Sequence, residues 1–77
     1  MEDFITLLFG GIVSNPDEIS IEVSQPDASG AVVYTVGVAA GDMGRVIGKS
    51  GRMVRCLKTL FKAAAARQGQ NALLEVK

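Results

Sequence analysis

The chain has 77 residues with eight Lys and Arg, eight Asp and Glu and no His, so its formal net charge is zero. Its length predicts one domain, residues 1–77, and excludes a multi-domain enzyme. With no His and a single Cys, the sequence excludes a zinc cluster, a His-based catalytic triad and an internal disulfide.

The net charge of zero hides a separation of charge along the chain. Residues 1–40 hold six acids and no base, whereas residues 41–77 hold all eight bases and two acids. This asymmetry points to a polyanionic partner.

The apolar N-terminal segment, residues 1–13, does not read as a targeting sequence. It begins with Glu2 and Asp3, whereas a secretory signal begins with positive charge. It is also shorter than the roughly 20 apolar residues of a membrane-spanning helix. Together with a lone cysteine, which fits a reducing compartment, these features predict a soluble, cytoplasmic protein.

The first half of the chain predicts one helix and a hairpin of two strands. Apolar residues recur on one helical face over residues 3–13, and an Asn-Pro-Asp sequence then ends the helix. Residues 18–25 and 31–39 alternate between apolar and polar positions, as strands do, and a Pro- and Gly-containing turn separates them.

The second half predicts a short helix over residues 41–47, a loop over 48–51, a long helix over 52–67 and a strand over 72–76. Seven apolar residues of the long helix are expected on one buried face: Met53, Val54, Leu57, Leu60, Phe61, Ala64 and Ala65. The order helix–strand–strand–helix–helix–strand predicts an α+β two-layer sandwich with three helices on one face of a three-stranded sheet.

Several side chains outside the apolar face have an ordinary structural interpretation. Lys58 and Lys62 are expected to be solvated, and Cys56 to be a small packed residue at the flank of the long helix. Tyr34 is expected to pack rather than to stack on a ligand. Leu7 points away from the apolar stripe of the first helix, which fits a wide buried face, fraying or a self-association surface.

The loop Gly48-Lys49-Ser50-Gly51 carries the functional prediction. Glycine at both ends permits a sharp turn and leaves no Cβ to block a ligand, and the following helix N-terminus favours anions. From Met43 to Leu74 the chain has seven bases and no acid. Ser50 is expected either to contact phosphate or to cap the long helix.

Two nucleotide-binding patterns fail at this loop. A Walker A sequence needs four residues between its first Gly and Gly-Lys-Ser, but only three separate Gly44 from Gly48. The loop also joins two helices rather than following a strand, and no Walker-B strand is evident. The dinucleotide pattern fails because no Gly lies two residues before Gly48. An NTPase is therefore rejected.

The segment from Val46 to Leu57, VIGKSGRMVRCL, resembles the signature of KH domains: an aliphatic pair, a GxxG loop, and aliphatic residues three and six positions after the second Gly. The α-β-β-α-α-β order matches the type II, bacterial form of that fold, with a mixed sheet. Length, the Asn-Pro-Asp-Glu sequence and the segment DMGRVIG resemble the stand-alone bacterial KH proteins of the KhpA (YlqC) family. The resemblance covers nearly the whole chain.

This resemblance implies a non-enzymatic protein, without cofactor or metal, that binds single-stranded RNA. In KH domains the GxxG loop clamps the backbone of about four nucleotides. The backbone of Gly48 to Gly51 would contact phosphates, assisted by the basic side chains Lys49, Arg52, Arg45 and Arg55. Ile47 and Val54 are expected in the core and also in the apolar floor under the bases. The implied RNA-binding residues are Arg45, Ile47, Gly48, Lys49, Ser50, Gly51, Arg52, Val54 and Arg55.

The resemblance also implies partners and a cellular role. KhpA-like proteins are associated with homodimers, with a larger KH partner of the KhpB or Jag kind, and with cell division and envelope control through RNA. A post-transcriptional regulator or RNA chaperone is the leading interpretation. The alternative is a protein–protein interaction subunit of an RNA-associated complex with little RNA binding of its own.

Overall fold

The computed structural model describes residues 1–77 and confirms the predicted α+β class and element order. No helix combines the length and the apolar character needed to cross a membrane. The helices and strands are α1 (Glu2–Gly10), β1 (Ser20–Val23), β2 (Val32–Gly37), α2 (Met43–Ile47), α3 (Arg52–Arg67) and β3 (Ala72–Val76), with single 3-10 turns at Pro16–Glu18, Ala40–Asp42 and Lys49–Gly51.

The three strands form one mixed sheet in the order β1-β2-β3. β1 and β2 are antiparallel, with Val23 opposite Tyr34, which confirms the hairpin. β2 and β3 are parallel, with Tyr34 opposite Leu74. Parallel neighbours require a crossover connection, and the chain makes it through α2, the glycine loop and α3.

The core lies between one face of the sheet and the three helices. Val36 and Leu74 are buried and point to the same face, as their register with Val76 and Tyr34 requires. Side chains from all three helices cover this face. The ten residues of the core are Ile5, Phe9, Val13, Val36, Val46, Leu57, Phe61, Ala65, Ala72 and Leu74.

The predictions for α1, β1, β2 and α2 extend beyond the observed elements, and for the first two the local reason is evident. α1 ends at Gly10 rather than at residue 13, since Gly10 and Gly11 weaken a helix interior. The N–H groups of Ile12 and Val13 both donate to the Phe9 carbonyl and close the last turn. β1 begins at Ser20 because the preceding residues form a 3-10 turn with Pro at its start.

The buried face of α3 is narrower than the sequence predicted. Leu57, Phe61 and Ala65 are buried, whereas Met53 and Leu60 are 39% and 52% exposed. Seven apolar residues span a wider arc of helix than the sheet covers, so the residues at the edge of that arc stay in solvent. The Phe61 ring lies 5.3 Å from that of Tyr34 in an edge-to-face arrangement, which confirms the packing role of the tyrosine.

The prediction that Cys56 packs at the flank of α3 was wrong, because its side chain is exposed. Thr59 and Cys56, which lie one and four positions before Leu60, are exposed as Leu60 is. The concave surface that they form on the outer side of α3 is lined by Arg52, Arg55, Cys56, Thr59 and Leu60.

The same substitution at two positions of α3 tests the buried face. We expect Leu57→Ala to reduce the free energy of unfolding by about 2–5 kcal/mol, because it removes a buried side chain and leaves a cavity. Leu60→Ala should change it by less than about 0.5 kcal/mol, since half of this side chain is exposed. Urea denaturation of both variants measures the difference, and equal losses would contradict the assigned face.

Candidate nucleic-acid interface

Gly48 forms the sharp exit from α2, and only glycine fits there. Its φ of +73° and ψ of −178° lie in a region that side chains rarely adopt. A Cβ at this position would lie 2.6 Å from the Met53 Cβ and 2.9 Å from the Met53 backbone nitrogen. The chain therefore folds back closely on the first turn of α3, which fixes the distance between the two helices.

Ser50 and Gly51 complete the turn in left-handed conformations, with φ values of +57° and +74°. Ser50 is the only residue other than glycine with a positive φ. Gly51 is the N-cap of α3, and no side chain caps this helix. The predicted alternative in which Ser50 only caps α3 is therefore wrong: Ser50 lies exposed at the outer tip of the loop.

Positive charge surrounds this turn and most of it is uncompensated. Lys49, Arg52 and Arg55 are exposed, and none of them takes part in the two ion pairs of the structure, Lys58–Glu75 and Lys77–Glu22. The N-terminus of the 16-residue α3 adds partial positive charge and N–H groups without intrahelical partners. The loop thus presents backbone donors and three free cations on one surface.

Exposed aliphatic side chains lie beside the loop. Ile47 is 42% exposed and Val54 is half-buried outside the core cluster, which corrects the prediction that both belong to the core. Met53, which the sequence placed in the core, is 39% exposed next to Gly48. An apolar surface therefore borders the basic one, as a site for both phosphates and bases requires.

The two lysines farther along α3 differ from each other. Lys62 is exposed and belongs to neither ion pair, as predicted. Lys58 is not simply solvated, because its Nζ lies 3.5 Å from the Glu75 carboxylate on β3. Both side chains remain about half exposed, and such a surface pair contributes at most about 1 kcal/mol.

Asp42, a residue that the sequence analysis missed, anchors the start of α2. Only 2% of its surface is exposed. Its carboxylate oxygens accept hydrogen bonds from the Ser14 N–H at 3.0 Å, the Asn15 N–H at 3.0 Å and the Asn15 side-chain amide at 3.2 Å. The Ser14 N–H, with further contributions from Asn15 and the nearby Arg45 charge, holds the pKa of Asp42 below its usual value despite burial.

Arg45 differs from the other predicted cationic residues. Its guanidinium donates a hydrogen bond to the Ser14 hydroxyl, and its charge lies near the Asp42 carboxylate. The sequence held one signal for this arrangement: Asp42 is the only acid between residues 28 and 74. The sequence did not indicate, however, that Asp42 would bond to Asn15 and Ser14, which lie 27 and 28 residues away.

The structure brings the predicted site residues together on α2, the loop and the first turn of α3. Comparisons with known proteins show which family the chain resembles. The family model described as KhpA/KhpB, KH domain, matches residues 2–76. No solved structure matches the chain significantly.

Curated relatives cover almost the whole chain. The RNA-binding protein KhpA of Chlamydia trachomatis is 30% identical over 76 residues, which are 99% of this chain and 95% of the relative. The RNA-binding protein KhpA of Caldanaerobacter subterraneus is 33% identical, with 99% of each chain covered. That of Listeria monocytogenes is 33% identical, over 99% of this chain and 97% of its own.

Alanine at each glycine of the loop tests the geometry. We expect Gly48→Ala to reduce the free energy of unfolding by about 2–5 kcal/mol, because it combines a strained backbone with a clash against Met53. Gly51→Ala should reduce it by only about 1–2 kcal/mol, since its Cβ would enter open space and only the left-handed φ opposes it. Urea denaturation distinguishes them, and an equal or reversed order would contradict the close approach at Gly48.

Asp42 should make folding stability depend on pH. Its pKa is lowered in the folded state, so its stabilising effect is present above the unfolded pKa of about 4 and is lost as pH falls through the lower folded pKa. We expect Asp42→Asn to be less stable than the unsubstituted protein at pH 7, with the difference shrinking as pH falls below about 4. Glu22 and Asp27, whose pKa values are also lowered, are present in both proteins, so their effects on stability cancel in the difference. A difference that stays constant with pH would contradict this role.

Proposed function

The chain belongs to the KhpA/KhpB KH-domain family of RNA-binding proteins, which are not enzymes, and we propose that it binds single-stranded RNA through the loop Gly48–Gly51. The observation that carries this proposal is the local charge. Lys49, Arg52 and Arg55 are exposed without acidic partners beside a glycine-bounded turn that opens an uncapped helix.

In this proposal the polynucleotide backbone lies across the turn. The backbone N–H groups of the loop and of the first turn of α3 donate to phosphate oxygens, as helix N-termini do for anions. The three cations add charge-assisted contacts. Because binding neutralises several phosphates, the affinity falls as salt concentration rises. Each phosphate contact contributes about −0.7 to the slope of log K against log salt concentration.

The bases lie on the aliphatic surface that borders the loop. Ile47 and Met53 offer exposed apolar atoms there, and the adjoining Val54 is half-buried. The chain has no Trp, and its one Tyr packs against Phe61. The floor is therefore aliphatic rather than an aromatic stacking platform, which favours sequence-relaxed binding.

We further propose that the protein acts with a partner, either a second copy or a KhpB/Jag-like KH protein. Leu7 on α1 is 77% exposed and Leu60 on α3 is 52% exposed, so apolar side chains are available outside the loop. Two linked RNA-binding loops would raise avidity without any new contact to RNA. We place this activity in the cytoplasm, as a post-transcriptional regulator or RNA chaperone.

A charge reversal in the loop tests the RNA-binding function. We expect Lys49→Asp combined with Ser50→Asp to abolish gel-shift retention of single-stranded RNA, because it places two anions where phosphates would bind. Circular dichroism should be unchanged, since both residues are exposed and Asp tolerates the left-handed conformation of position 50.

A matched control separates this effect from bulk charge. Lys62→Glu with Ala63→Glu changes the net charge by the same amount on exposed positions of α3 outside the loop, and should retain most of the binding. If the loop variant instead retains RNA as well as the unsubstituted chain does, the proposal that the loop binds RNA is contradicted. The alternative function, a protein–protein interaction subunit, then replaces it.

A further inference from the structure

The contacts around Asp42 connect two segments that are far apart in the chain. We call Ser14, Asn15, Asp42 and Arg45 the Asp42 clamp. The carboxylate joins the segment after α1 to the start of α2 through three hydrogen bonds of 3.0, 3.0 and 3.2 Å. Arg45, one turn farther along, closes the group by its bond to the Ser14 hydroxyl.

α2 depends on these contacts for its position. It has five residues, from Met43 to Ile47, and a helix this short does not persist by its own hydrogen bonds. Tertiary contacts hold it, among them the Asp42 clamp at its N-terminus and Val46 in the core. Its last turn runs directly into the loop, where the Gly48 N–H donates to the Gly44 carbonyl at 2.9 Å. A shift at Asp42 therefore reaches Gly48 within two helical turns.

Arg45 is chemically set apart from the free cations of the loop. Its guanidinium has an intramolecular hydrogen-bond partner and a carboxylate nearby. Lys49, Arg52 and Arg55 belong to neither ion pair and take part in no side-chain hydrogen bond that involves Asp or Glu. A phosphate at Arg45 would compete with the Ser14 hydroxyl and the Asp42 carboxylate for this guanidinium.

We propose that Asp42 is a positioning residue for the RNA-binding loop, and that Arg45 serves the Asp42 clamp rather than an RNA phosphate. This inference rests on the proposed function and deepens it. It separates the residues that touch RNA from those that hold the loop in place, and it removes Arg45 from the first group.

The salt dependence of binding distinguishes the two kinds of residue. A side chain that contacts a phosphate in single-stranded RNA contributes about −0.7 to the slope of log K against log salt concentration. A positioning residue lowers the affinity at every salt concentration and leaves this slope unchanged, because it displaces no counterion. General loss of folded protein is recognised separately by circular dichroism.

The experiment uses the full chain and a pool of random-sequence single-stranded RNA oligonucleotides, with affinity measured across a salt series. Lys49→Gln should weaken binding and make the slope shallower by about 0.7. Asp42→Asn and Arg45→Gln should each weaken binding about fivefold or more, a usual size for coupling between sites, with the slope of the unsubstituted protein. Asp42→Asn acts by placing an amide donor against the backbone donors of residues 14 and 15.

Asn15→Ala keeps the test decisive if Asp42→Asn does not fold. It removes only the 3.2 Å side-chain bond to Asp42 from an exposed residue. We expect a smaller loss of affinity, an unchanged slope, and displaced amide NMR resonances of Gly48 and Gly51 in the absence of RNA. Lys62→Gln, outside the clamp and the loop, should leave these resonances in place.

Each outcome bears on one proposal. If Arg45→Gln makes the slope as shallow as Lys49→Gln does, Arg45 contacts phosphate and its assignment to the clamp is overturned. If folded Asp42→Asn, or Asn15→Ala where Asp42→Asn is unfolded, binds RNA as the unsubstituted chain does, the positioning role is overturned. If Lys49→Gln itself changes neither affinity nor slope, the failure lies with the proposed RNA-binding function.

Discussion

One buried carboxylate, that of Asp42, constrains the half of the fold that carries the glycine loop. A buried anion is stable only where hydrogen bonds and positive charge replace its hydration, and here two backbone N–H groups, one side-chain amide and the nearby Arg45 do so. The three hydrogen-bond donors come from Ser14 and Asn15, so the segment after α1 and the start of α2 must meet at this point. The direction of α2, and with it the place where the chain turns into α3, follows from that meeting.

The turn beyond α2 concentrates left-handed backbone conformations in a small space. Gly48, Ser50 and Gly51 all have positive φ, at +73°, +57° and +74°. Glycine adopts such angles without steric cost, whereas Ser50 persists there only because the surrounding structure holds it. α2 and α3 supply that support from either side, and the close approach of Gly48 to Met53 leaves little room for relaxation. Because these residues have either no Cβ or a short polar side chain, the backbone at the tip stays open to a ligand. The two glycines therefore both permit the turn and expose its backbone.

The sequence predicted what local periodicity determines and missed what depends on distant partners. α3 was predicted at its observed bounds, Arg52–Arg67, because sixteen residues of regular apolar spacing dominate the local signal. The exposure of Met53, Cys56 and Leu60 was not predicted, since periodicity gives the direction of a face but not the width that the sheet covers. The loop was identified from its glycines, yet the partners of Asp42 lie 27 and 28 residues away in an irregular segment. No periodic pattern encodes such a contact.

The zero net charge is compatible with a polyanion partner because charge acts locally in salt solution. Unpaired surface charges are screened beyond about 8–10 Å at physiological ionic strength, whereas the molecule extends 35 Å along its longest axis. Where acids and bases meet, as in the pair of Lys77 with Glu22 or in the grouping of Arg45 with Asp42, they compensate each other. Lys49, Arg52 and Arg55 are left without such partners. A phosphate chain that approaches the loop therefore meets the free cations of α3 and the glycine turn, and the acids elsewhere change this local field little.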